Sequence, residues 1–159
     1  MNRRISTKAG TVVLFLVLVA TAKAGLLEGL GTWQGTGMVF DSQGREGGSF
    51  TVELIRTALD AQTVETRGSL TLATGQVIPV NQQISLRGNS FRIESNHGTG
   101  GGTCFGAGIC QSYEDSGNGT VFVTTIVIDG PDRLRILVTE LDHGQAVRFF
   151  RQSLTLKKS

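Results

Sequence analysis

From Gly31 onward the chain alternates apolar and polar residues in short runs, separated by clusters of turn-forming residues. Val64, Thr66, Gly68, Leu70 and Leu72 fall on one face of an extended segment, and Glu65, Arg67, Ser69 and Thr71 on the other. Strand side chains point to opposite faces with a period of two, so this segment predicts a strand with one dry and one wet wall. The same alternation runs through residues 50–54, 78–86, 91–95 and 134–140. Residues 121–128 (VFVTTIVI) are apolar at nearly every position and predict a strand covered on both faces. Pro79 has no N–H to give a ladder, which predicts an edge strand or a bulge there. Residues 98–108 (GTGGGTCFGAG) hold six glycines in eleven positions, which reads as a flexible loop at the mouth of the fold.

No helical period longer than two turns appears after residue 24. Eight or nine strands with short connections and no crossover helices predict an all-β domain in which sequence neighbours are spatial neighbours. A meander of that length closes into an up-and-down antiparallel β-barrel, which removes the exposed edges. The competing immunoglobulin-like sandwich would place a tryptophan between two distant cysteines. Here Cys104 and Cys110 lie six residues apart and Trp33 precedes both.

Residues 1–24 read as a cleaved signal peptide, with residues 25–159 as a single barrel domain. Arg3, Arg4 and Lys8 precede an apolar run over residues 11–20, and Ala22-Lys23-Ala24 is a small-x-small cleavage site. The apolar run is shorter than the roughly 20 residues that span a bilayer, so no stable membrane anchor is expected after cleavage. Export, periplasmic or secreted, follows from this reading. The whole chain carries 15 basic and 13 acidic residues; removing 4 basic ones with the leader leaves 11 against 13, a net charge of −2. No basic cluster remains for nucleic acid. In an oxidising compartment, Cys104 and Cys110 are expected to form a disulfide.

The run Leu30-Gly31-Thr32-Trp33-Gln34-Gly35-Thr36-Gly37 resembles the opening of lipocalins and the wider calycin group, where a Gly-x-Trp lies on the first strand. The resemblance implies that Trp33 plugs the closed end of the barrel and that an arginine of the last strand, Arg148 or Arg151, packs across it. The longer run also resembles nitrobindin-type barrels, which bind haem. This chain has no Thr-Asp-Tyr motif and no histidine on its final strand, since His143 falls in the preceding turn, so no cofactor is expected.

Polar residues that share a face with apolar neighbours mark where a barrel would orient a guest: Thr66, Gln82, Ser95, His97, Thr125 and Glu140. Glu140 could equally pair with Arg148 or Arg151. The spacing of His97, Cys104 and Cys110 matches no compact metal pattern, and no metal site is expected. Neither histidine lies beside a nucleophile-elbow sequence. The expected function is binding of a small, largely apolar ligand without catalysis. Two alternatives stand beside it: a protein-interaction or inhibitor module acting through the glycine-rich disulfide loop, and an enzyme using Glu140 or His97 as acid or base.

Overall fold

A computed structural model describes residues 29–105 and 108–157. The expected signal peptide, residues 1–24, lies outside the described residues. Ten strands follow one another: β1 (Gly31–Asp41), β2 (Glu46–Ala58), β3 (Thr63–Leu72), β4 (Val77–Arg87), β5 (Ser90–Ser95), β6 (Gly98–Phe105), β7 (Ile109–Asp115), β8 (Thr120–Ile128), β9 (Arg133–Asp142) and β10 (Gln145–Leu156). Each pairs antiparallel with its sequence neighbours, and β1 pairs with β10 to close the barrel. The all-β, up-and-down architecture is as the alternation predicts. The count exceeds the expected eight or nine because the glycine run is a strand, β6, with β7 beside it.

That strand corrects the expectation of a flexible loop. A Cβ added at Gly100 would lie 1.9 Å from the Tyr113 carbonyl oxygen, and one at Gly98 would lie 2.2 Å from that of Asp115. The glycines are there because β7 presses against β6 too closely for side chains, not to loosen the chain. Cys104 and Cys110 stand directly opposite each other on the two strands and form a disulfide.

Odd-numbered strands start, and even-numbered strands end, at one end of the barrel. Trp33 is at that end, fully buried, with Nε1 donating to the Gly29 carbonyl at 2.9 Å. The same alternation puts the β6–β7 connection and its disulfide at the Trp33 end, not at the opposite mouth. The register also overturns the expected arginine plug. Trp33 is paired with Leu156, near the end of β10, whereas Arg148 is paired with Asp41, far along β1. Arg148 stacks on Phe150 (5.9 Å) and Arg151 on Phe40 (5.7 Å). The buried arginine near Trp33 is Arg56 of β2, in register with Gly31.

Pro79 reads as an edge residue for a local reason. The ladder between β4 and β5 covers only residues 82–87 of β4, so Pro79 lies beyond the reach of β5. Its carbonyl accepts from Asn96 Nδ2 at 3.3 Å and lies 3.1 Å from His97 Nε2. The 121–128 strand is buried on one side only. Phe122, Thr124 and Ile126 face the core, while Val123 is exposed on the outer wall.

Candidate functional site

The inward faces of the strands supply an apolar filling: Leu54, Ile84, Ile93, Ile126 and Leu134 toward the Trp33 end, and Phe50, Val80, Phe122, Val138 and Phe150 toward the other. Burying such side chains contributes about 1.5–3 kcal/mol each, which drives the sheet to close on itself. Across this filling runs a polar row fixed by the ladder register. Arg56 pairs with Thr66, Thr66 with Gln82, and Gln82 with Ser95, so four inward polar side chains lie side by side on β2–β5.

Ser95 carries the row on to β7. Its hydroxyl donates to Glu114 Oε1 at 2.6 Å and in turn accepts from the backbone N–H groups of His97 and Gly98. Glu114 shares its face with Ser112 and Cys110, and Ser112 is in register with Thr124 of β8. Gln152 of β10 joins from the remaining wall, in register with Gly37. Thr66, Gln82, Ser112, Glu114, Thr124 and Gln152 are all buried. The hydroxyls of Thr66, Ser112 and Thr124, both amide atoms of Gln82 and Gln152, and Oε2 of Glu114 have no hydrogen-bond partner. Each such group costs about 1–3 kcal/mol when nothing complementary meets it.

Electrostatics single out Glu114. Burial raises its carboxyl from an ordinary 4.5 to about 7, against the Ser95 hydrogen bond and the nearby Gln82 amide, which both favour the charged form. The Gln82 amide is close enough to act on the charge without forming a well-aligned hydrogen bond. Arg56, also buried, has its guanidinium pushed down to about 9 by loss of solvent, so it is protonated at neutral pH.

Of the candidates read from the alternation, Thr66, Gln82 and Ser95 belong to this belt. Glu140 also faces inward but lies toward the far end, where its Oε1 accepts from Arg148 Nη2 at 2.7 Å, a cross-strand pair between β9 and β10. His97 sits in the β5–β6 turn against the Pro79 carbonyl, outside the lumen. Thr125 points outward between the inward Thr124 and Ile126, because residues 121–128 have apolar side chains on both faces and the pattern gives no parity. The belt members missed in sequence were Arg56, Ser112, Glu114, Thr124 and Gln152. Gln152 shares parity with Phe150 and Leu154, and Ser112 and Glu114 with Cys110, so the disulfide would have exposed the alternation of β7. Among the described residues no group of three or more His, Cys, Asp or Glu side chains is placed to hold a metal ion. A groove of about 260 Å³ on the outer wall, lined by Gln34, Thr51, Glu53, Ser69 and Thr71, is polar and separate from the lumen.

No protein-family model matches the chain, and no curated protein matches its sequence. Solved structures do. An S-type phycobiliprotein lyase from Guillardia theta superposes with a TM-score of 0.63 at 11% identity, covering 83% of this chain and 90% of that one. A protein of unknown function of the DUF3598 family from Nostoc punctiforme gives 0.64 at 13% identity. That match covers 82% of this chain but 48% of the other, so this chain spans about half its length. The fold is a closed antiparallel barrel of lipocalin-like form. At these identities the likeness concerns the barrel fold itself, the closed antiparallel meander.

Proposed function

We propose that this chain is an exported barrel that binds a small, largely apolar molecule in its lumen, without carrying out chemistry on it. The observation that carries the reading is the belt of buried polar atoms without partners in an otherwise apolar interior. A guest that meets a few convergent polar groups while burying an apolar body satisfies both parts of that lining. The structural likeness to a phycobiliprotein lyase supports a barrel able to serve a ligand and names no guest for this chain. Export is supported by the leader-like residues 1–24 and by the disulfide, which suits an oxidising compartment. N-terminal sequencing of the protein from its own source, beginning at residue 25, checks that part.

Lumen binding is tested with N-phenyl-1-naphthylamine, an apolar dye whose fluorescence rises on leaving water. The folded protein is expected to enhance it, and Val138→Trp, which fills the lumen from β9, is expected to abolish the signal while the chain still melts cooperatively. Enhancement that survives the tryptophan would place the dye elsewhere and sink the reading.

A second reading has its own observation. The outer wall of β6–β9 exposes Phe105, Ile109, Tyr113, Val123 and Leu137, with Phe105 opposite Ile109 and Tyr113 opposite Val123. Exposed apolar pairs of this kind, interleaved with Gln111, Thr125 and Thr139, suit a protein contact. They replace the glycine-rich loop as the surface for an interaction module. Concentration-dependent sedimentation, compared with that of Tyr113→Lys, separates this role from lumen binding.

A further inference from the structure

Glu114 is the member of the belt whose chemistry restricts the guest most. It is fully buried, and of its two carboxyl oxygens one accepts from Ser95 while the other meets no donor. The strands packed beside it bring no charge: β6 presents Gly100 and β8 presents Phe122 in register with it. The other charged groups facing the lumen among the described residues are Arg56 on β2 and the Glu140–Arg148 pair, already joined to each other, toward the far end. Above about pH 7, where the carboxyl is ionised, it is satisfied only by a donor, and an anionic guest would set like charge against it. The neighbouring amide of Gln82 presents both a donor and an acceptor, which suits a guest edge carrying both kinds of group. Above the belt the inward side chains that pack the core are aromatic, Phe50, Phe122 and Phe150, which favours a flat, apolar remainder for the guest.

Resting on the lumen-binding reading above, we propose that the guest is a compact aromatic amine or nitrogen heterocycle whose N–H is donated to the free oxygen of Glu114. Ser95 is then a positioning residue that holds the carboxyl with its second oxygen toward the lumen. Burial that raises the carboxyl to about 7 agrees with this role, because the site has no cation of its own beside Glu114 and the guest supplies the missing donor.

Three probes of similar size distinguish the outcomes in NMR titrations of the disulfide-intact protein: 2-aminobenzimidazole, 2-naphthoate and naphthalene. The wild type is expected to bind 2-aminobenzimidazole about tenfold or more tightly than either of the others, the range of a hydrogen bond to a charged group. Glu114→Gln is expected to lose that preference while leaving naphthalene binding unchanged. Glu114→Asp keeps the charge, shortens the reach and is expected to give an intermediate loss, which decides the matter if the glutamine variant does not fold. Equal binding of the three probes, tighter binding of 2-naphthoate, or a preference that survives Glu114→Gln overturns the assignment and leaves lumen binding standing. Binding of none of the three removes both readings.

Discussion

Glu114 concentrates the tension of the interior in one side chain. Its ordinary carboxyl value of 4.5 describes the unfolded chain and about 7 the folded one, so the native state holds the proton more tightly. The stability linked to this group is complete below about 4.5 and is lost as pH rises through about 7. The shift corresponds to on the order of 3 kcal/mol between the two limits. Urea unfolding followed at pH 5 and pH 8 should show the wild type losing stability across that window, and Glu114→Gln should flatten the difference. A pH dependence unchanged by the substitution would mean that other groups set it. The placement of this residue was recoverable only in part from the sequence. Thr66 and Gln82 fall in long, clean alternations and announce their faces. Glu114 follows a run of glycines that reads as a loop, which breaks the parity before the residue is reached. Thr124 was lost for the opposite reason, since apolar side chains on both faces of β8 leave Thr124 and Thr125 equivalent on paper.

At the scale of an element, β6 shows how composition misleads when burial of backbone is the deciding force. Glycine weakens a strand through its entropy, so six glycines in eleven residues argue for a loop. The contact with β7 reverses the argument, because a side chain at Gly98, Gly100 or Gly102 would strike the β7 backbone. Gly100→Ala is therefore expected to destabilise the barrel by several kcal/mol, as its Cβ would strike the Tyr113 carbonyl. Gly47→Ala is the control: its Cβ would meet the nearest atom at 3.6 Å, and its thermal midpoint should stay near the wild type. The disulfide pins the same pair of strands. Reducing it should cost about 2 kcal/mol, the value for closing so short a loop, read as a lowered urea midpoint with and without reductant. The alternating runs, by contrast, gave away their elements readily. Pro79 predicts an edge strand or a bulge, and neither forms: β4 is paired on both sides, and Pro79 escapes a missing N–H only because β5 is too short to reach it.

For the molecule as a whole, the meander pattern was legible because each strand pairs with the next, so local alternation and short turns already describe most of the sheet. What local pattern could not convey is the stagger of the strands around the barrel, and the stagger decides which side chains meet. The eight-residue opening motif pointed to a closed barrel, and the chain forms one, but neither Arg148 nor Arg151 is in register with Trp33, since the antiparallel seam brings the end of β10, not its start, to Trp33. A circular permutant opened at the turn of residues 42–45 and joined between residues 157 and 31 should keep a single cooperative melt. The Lys157 N–H donates to the Thr32 carbonyl at 2.8 Å, so the two ends of the barrel are already adjacent. Loss of the cooperative transition in that permutant would show that the order of the strands matters beyond their pairing.

The seam between β1 and β10 also sets a clock. Nine ladders join strands that are neighbours in the chain and can zip as hairpins within microseconds of each turn forming. The tenth joins the first strand to the last, and its closure must wait for nearly the entire domain to be ordered. Until then both outer strands offer unpaired backbone to any other chain, and the belt around Glu114 is open to water. The Cys104–Cys110 bond pins β6 to β7 independently of that closure. The last step of folding then both seals the open edges and encloses the interior side chains.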